Sequence, residues 1–201
     1  MKHIKFSLAI VMALTMLNCK EAKKDTNGSP DNSGKSLDTT EEKLVKTKVQ
    51  VNDTLTVNMS SKSNSRVSGT ISFVQSGGEV KMKAIFTGLD EGPHAIHLHE
   101  NADCSSQDGK SAGGHWNPTK EAHGKWGSEK GYHKGDIGNF TADQEGQATV
   151  TFATDEWCID CNDDNKKIIG RSVIVHKGQD DFTSQPSGDA GSRIACAGIT
   201  K

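Results

Sequence analysis

The chain has 201 residues, a formal net charge of -2, 32% hydrophobic and 5% aromatic residues, and 21 glycines. That length suits one ordinary domain plus a tail and excludes two full hydrophobic cores. The near-neutral charge excludes a general attraction to nucleic acid or anionic membrane, so an anionic substrate would need a local positive patch.

At the N-terminus, Lys2, His3 and Lys5 precede an apolar run from Phe6 to Leu17 that stops at Cys19. This is the layout of a secretory signal, and about twelve apolar residues are too few to cross a bilayer, which needs roughly twenty. The segment Met16-Leu17-Asn18-Cys19 resembles a bacterial lipobox, in which the cysteine becomes the lipidated first residue. Residues 1–18 are therefore expected to be a lipoprotein-type signal peptide. The mature protein is expected to be exported, to the periplasm or the cell envelope of a bacterium, and to touch the membrane only through a lipid on Cys19. An ordinary signal with an incidental cysteine is the alternative.

Residues 19–48 are almost wholly polar, with Ala22, Leu37, Leu44 and Val45 the only apolar side chains from Lys20 on. Such a stretch cannot bury enough surface to order itself and reads as a flexible tether to a domain over 49–201. Within that domain, runs of two-residue period predict strands over Thr54 to Met59, Val67 to Gln75, Val80 to Phe86, Ala95 to Glu100, Gln147 to Ala153 and Ser172 to His176. Gly77-Gly78 predicts a hairpin between the second and third. No window of ten residues carries a helical stripe, so the fold class is all-β, a β-sandwich or flattened barrel.

Asn101 to Asn139 breaks the pattern, being glycine-rich and far longer than an ordinary connection. It holds His115, His123, His133 and Asp136, and metal coordination would supply the order that a core does not. His97 and His99 stand at i and i+2, so a strand points both rings to one face. His176 ends another apolar run. Imidazole with carboxylate suits zinc, and an all-imidazole set suits a copper ion that changes oxidation state. Of the histidines in the domain only His94 has no such place.

With Cys19 set aside, Cys104, Cys158, Cys161 and Cys196 remain, and an oxidising compartment favours two disulfides among them. For Cys158 and Cys161 a local disulfide closing a surface turn is the first reading, an added metal or redox site the second, and free thiols the third.

The segments Gly92-Pro93-His94-Ala95-Ile96-His97-Leu98-His99-Glu100, Ser111-Ala112-Gly113-Gly114-His115-Trp116-Asn117-Pro118, His133-Lys134-Gly135-Asp136-Ile137-Gly138-Asn139, Gly170-Arg171-Ser172-Val173-Ile174-Val175-His176 and Gly191-Ser192-Arg193-Ile194-Ala195-Cys196 occur in this order. From about Val57 to Ile199 the chain resembles the copper/zinc superoxide dismutase family. The resemblance implies a Greek-key β-sandwich or flattened eight-stranded barrel with a long metal-binding loop. It implies copper on His97, His99, His115 and His176, zinc on His115, His123, His133 and Asp136, and His115 shared between them. It further implies that Asp180 orients His97 and His123, that Arg193 attracts and orients a small anion, and that Cys104 pairs with Cys196. Closing so long a loop would stabilise the fold by roughly 4 kcal/mol.

The activity implied is disproportionation of superoxide to dioxygen and hydrogen peroxide by a redox-cycling copper, with His115 carrying a proton. A lipoprotein that binds or sequesters copper and zinc without catalysis is the competing reading, and the complete ligand set with Arg193 argues against it. A homodimer stays open, since dimeric and monomeric relatives share these motifs.

Overall fold

The computed structural model describes residues 53–201. The expected signal peptide 1–18, Cys19, the tether 19–48 and the first residues of the 49–201 domain lie outside the described residues.

Eight strands, β1 (Asp53–Ser61), β2 (Ser68–Ser76), β3 (Glu79–Thr87), β4 (Gly92–His99), β5 (Gly138–Ala142), β6 (Ala148–Thr154), β7 (Ser172–His176) and β8 (Arg193–Gly198), form one antiparallel sheet. The order is β5-β4-β7-β8-β1-β2-β3-β6. Its terminal strands β5 and β6 approach each other without a ladder, so the barrel is nearly closed. The chain crosses from β3 to β4 and back from β5 to β6, which is the Greek-key element of the topology.

The alternation in β3 sends Val80, Met82, Ala84 and Phe86 into the core and Lys81, Lys83 and Ile85 outward. Gly77 and Gly78, both at positive φ, close the β2–β3 hairpin opposite the Ser76–Glu79 pair. A core of Val57, Ile71, Phe73, Met82, Phe86, Ile96, Leu98, Val173, Val175 and their neighbours fills the barrel.

Strand β4 is the exception that matters for function, because every residue from His94 to His99 is buried. Ile96 and Leu98 face the core, so the pleat turns His97 and His99 to the outer face. There the connection between β4 and β5 folds back over them, bringing His115 beside His99 in an isolated bridge. Trp116 N–H donates to the Leu98 carbonyl at 2.8 Å, and Glu100 N–H to the Gly114 carbonyl at 3.0 Å. The expected strands all form, with Ser172–His176 unchanged and the ends of the others displaced by one to three residues.

Two strands differ from the sequence expectation. The long loop ends at Ile137, because β5 begins at Gly138 and pairs with β4, and the loop contains one short 3₁₀ turn, Lys110–Ala112. β8, which carries Arg193 and Cys196, is rich in small residues with no two-residue polar alternation, and its pairing with β7 makes it a strand. Cross-strand pairing here overrides weak local propensity.

Candidate metal centre

The site lies on the outer face of β4, β7 and β8, under the long loop and the 177–192 connection. Four side chains, His97, His99, His115 and His176, offer donor atoms that all lie within 4.8 Å of one another. A second group, His115, His123, His133 and Asp136, does the same. His115 belongs to both, with its ring centroid 4.0 Å from that of His97 and 5.7 Å from that of His133.

The hydrogen bonds explain which nitrogen of each ring is left over. His97 Nε2 donates to Asp180 Oδ2 at 2.8 Å, His99 Nδ1 to the Gly113 carbonyl at 3.0 Å and His176 Nδ1 to the Gly191 carbonyl at 3.2 Å. A neutral imidazole that donates from one nitrogen keeps a lone pair on the other. Those others, His97 Nδ1, His99 Nε2 and His176 Nε2, are buried without a partner, as is His115 Nε2. Four orphaned acceptors converging on one point are costly unless a cation takes them.

In the second group, His123 Nε2 donates to Asp180 Oδ1 at 2.9 Å, leaving His123 Nδ1 facing Asp136 Oδ2 at 3.0 Å. His115 Nδ1 and His133 Nδ1 stand 2.9 Å and 3.2 Å from Asp136 Oδ1. The residues therefore fit two adjacent ions, one in an all-imidazole set and one in an imidazole-carboxylate set. These sets suit copper and zinc respectively.

Ionisation follows the same geometry. Burial, and next the charge on neighbouring His115 and His176, hold His99 well below its usual value. Burial and then His97 do the same for His176, and burial lowers His115 to about 4 against the pull of Asp136. Burial also disfavours charge on His123, but hydrogen bonds to Asp136 and Asp180 outweigh it and raise that ring to about 9. Burial would raise both carboxyls, but bonds from the histidines prevail, His115 first on Asp136 and His123 first on Asp180. Both groups are left far below the ordinary carboxylate range.

Asp180 thus joins the two groups through its two oxygens, while Asp181 accepts bonds from Thr183 and Ser184 within its own turn. Gly188 lies against this junction at φ +71°, where a Cβ would strike Asp180 and stand 2.6 Å from His123 Nε2. Arg193 pairs with His176 across a bulge between β7 and β8 and donates from Nη1 to the Gly109 carbonyl at 2.8 Å. The bulge re-aims both side chains. A cleft of about 410 Å³ opens over this point, lined among others by His99, His115, His176 and Arg193.

Residues 67–199 match the family described as Copper/zinc superoxide dismutase (SODC). The chain belongs to the copper/zinc superoxide dismutase family. It is 36% identical over 137 residues to the extracellular superoxide dismutase [Cu-Zn] of Caenorhabditis elegans, a match covering 65% of this chain and 60% of that protein. With the Drosophila melanogaster protein of the same description it shares 38% identity over 144 residues, covering 68% and 77%. The chain thus spans less than two thirds of the nematode relative's length. A crystal structure of a SOD-like protein from Bacillus subtilis superposes with a TM-score of 0.64 at 25% identity, covering 72% of this chain and 97% of that one.

Among the described residues there are two disulfides, Cys104–Cys196 across 92 residues and Cys158–Cys161 across three. They are bonds of an oxidising compartment. The first ties the long loop, at Cys104, to β8, at Cys196. The second is the local disulfide expected for this pair; it closes a turn whose Asp160 is exposed, while Cys158 itself is buried and its backbone pairs with Lys166 and Ile168.

Three supporting residues escaped the sequence reading. Gln185 exchanges bonds with the His123 backbone in both directions at 2.9 Å, and Asn139 does so with the Asp180 backbone at 2.7 and 2.8 Å. His94 places its two ring nitrogens 2.9 Å from the carbonyls of Asp90 and His176. Only His94 and Asn139 stand in motifs that point to the site, while nothing near Gln185 in sequence marks it.

Proposed function

We propose that this chain disproportionates superoxide to dioxygen and hydrogen peroxide, with copper on His97, His99, His115 and His176 and zinc on His115, His123, His133 and Asp136. The observation that carries the reading is the convergence of four unpaired, buried imidazole nitrogens beneath a cleft whose rim holds Arg193. Family membership and the names of the nematode and fly proteins support it. When bound, copper supplies a one-electron couple and zinc a redox-silent charge.

The chain's own groups do the rest. His115 is the ring both donor sets share, and its Nε2 is the atom that would hold and release the proton the reaction consumes. Two adjacent cations make loss of both its ring protons feasible. The Arg193 guanidinium would draw in and orient a small anion despite the chain's net negative charge. Asp180 would keep the His97 and His123 rings in the tautomers that ligation needs.

Residues 1–18 as a lipoprotein signal, Cys19 as its lipidated residue and 19–48 as a tether to the 49–201 domain belong to the same proposal. They make the protein an exported lipoprotein of the bacterial periplasm or cell envelope.

The test is superoxide consumption by protein of measured copper and zinc content, with His99→Ala as control. Wild type should be active, with activity falling as salt rises, since salt screens the attraction of an anion to Arg193. His99→Ala should lose copper and activity while keeping zinc. Full occupancy of both metals without activity would leave metal sequestration as the function.

A further inference from the structure

Glu156 and Trp157 immediately precede the Cys158–Cys161 disulfide, outside the metal cluster, yet Glu156 reaches both residues that flank His133 and Trp157 reaches one of them, Lys134. One Glu156 oxygen accepts from the Tyr132 hydroxyl at 2.6 Å, and the other forms an ion pair with the Lys134 ammonium. That pair is mostly shielded, with side-chain exposures of 27% and 19%. Trp157 Nε1 donates to the Lys134 carbonyl at 2.8 Å.

Aromatic packing adds a second grip. Trp157, 1% exposed, packs on Phe152 and Trp126 at 4.9 and 6.0 Å. Trp126 lies in the metal loop between His123 and His133 and packs on Tyr132 at 4.9 Å. Behind them the segment is tied to the rest of the β6–β7 connection and, through Gln75, to β2. Cys158 N–H bonds Lys166 O at 2.8 Å, Ile168 N–H bonds Cys158 O at 2.9 Å, and Ile159 N–H bonds Gln75 Oε1 at 2.8 Å. The disulfide closes this anchor.

We propose that Glu156 and Trp157 are positioning residues that hold the two neighbours of His133, Glu156 through the Tyr132 and Lys134 side chains and Trp157 through the Lys134 carbonyl, and so set the geometry of the His115, His123, His133 and Asp136 cluster, with the Cys158–Cys161 disulfide as their anchor. This rests on the reading that the cluster holds a metal ion. A ring whose neighbours are already fixed loses little further freedom on ligation, so ordering the loop in advance strengthens binding. Glu156 meets both flanking side chains, one with each of its oxygens.

The test uses the full chain stripped of metal. Zinc affinity is measured by competition with a chromophoric chelator, ligand geometry by the visible spectrum of bound Co(II), and fold stability by the Tm of the metal-free protein. Glu156→Gln and Trp157→Phe should each weaken zinc about ten-fold and alter the Co(II) spectrum, as loss of a partner that orients a ligand does. Tyr132→Phe and the Cys158→Ser/Cys161→Ser double variant should change both readouts in the same direction by less.

Unchanged affinity and spectrum in Glu156→Gln and Trp157→Phe overturn the proposal. So does weaker binding matched by a lower metal-free Tm with an unaltered Co(II) spectrum, since that is only a structural role. If either variant fails to fold, Tyr132→Phe decides, because it removes a single hydroxyl beside His133, and no change there counts against the clamp. Wild type that takes up neither zinc nor Co(II) overturns the metal reading itself.

Discussion

A histidine here is fit to hold a metal ion because its second nitrogen is spent elsewhere. The Gly113 and Gly191 carbonyls fix the tautomers of His99 and His176, and Asp180 fixes those of His97 and His123. The residue types were legible in the sequence as a His-x-His pair and a histidine-rich loop. Which nitrogen is free was not, because the deciding partners lie 14 to 83 residues away. Asp180 was named through the family resemblance alone, since its neighbour Asp181 is an equal candidate by composition, and the fold supplies the physical reason by aiming Asp180 at two imidazoles. Asp180→Asn should test its role sharply. An amide nitrogen cannot accept from a ring N–H, so one of the two rings would lose its partner or reverse its tautomer. Affinity for the metal of the set that holds the affected ring, copper for His97 or zinc for His123, should fall roughly 10- to 100-fold, read by metal titration of the purified protein.

Elements carry these residues to one place by distinct devices. β4 supplies His97 and His99 on the face away from the core, β7 ends at His176, and the bulge opposite it turns Arg193 toward the same cleft. The two-residue period made β3 and β7 readable, whereas β5 starts at a glycine and β8 reads Arg-Ile-Ala-Cys-Ala-Gly, so neither advertises itself. The loop over the site has little core of its own, with Ala112 resting on Ile174 and Cys196 in a small outer cluster beside Cys104. The Cys104–Cys196 bond therefore does much of the holding. A Cys104→Ser/Cys196→Ser variant should lose up to about 4 kcal/mol of unfolding free energy in urea titrations. Arg193 should suffer with it, since its Gly109 carbonyl partner belongs to the released loop.

For the whole molecule, a buried cluster of neutral imidazoles makes the metal-free protein sensitive to acid. His99 and His176 are held well below 6.5 and His115 at about 4, so in that window the unfolded chain binds more protons than the folded one. Stability must then fall as pH drops from about 6.5 toward 4. His123 acts in the opposite sense, because its folded value is raised to about 9 and its contribution is lost as pH rises from about 6.5 through that value. The Tm of the metal-free protein should accordingly peak near pH 6.5 and decline on both sides, which a differential scanning series will show; a Tm rising steadily to pH 9 would contradict the His123 environment. The sequence by itself determined the all-β class, the paired donor types and the cysteine supply, because strand period, imidazole chemistry and thiol spacing are local properties. Only the tertiary structure decided the tautomers, the strands β5 and β8 and the Glu156 clamp, because each depends on which distant groups the closing barrel brings within hydrogen-bond range.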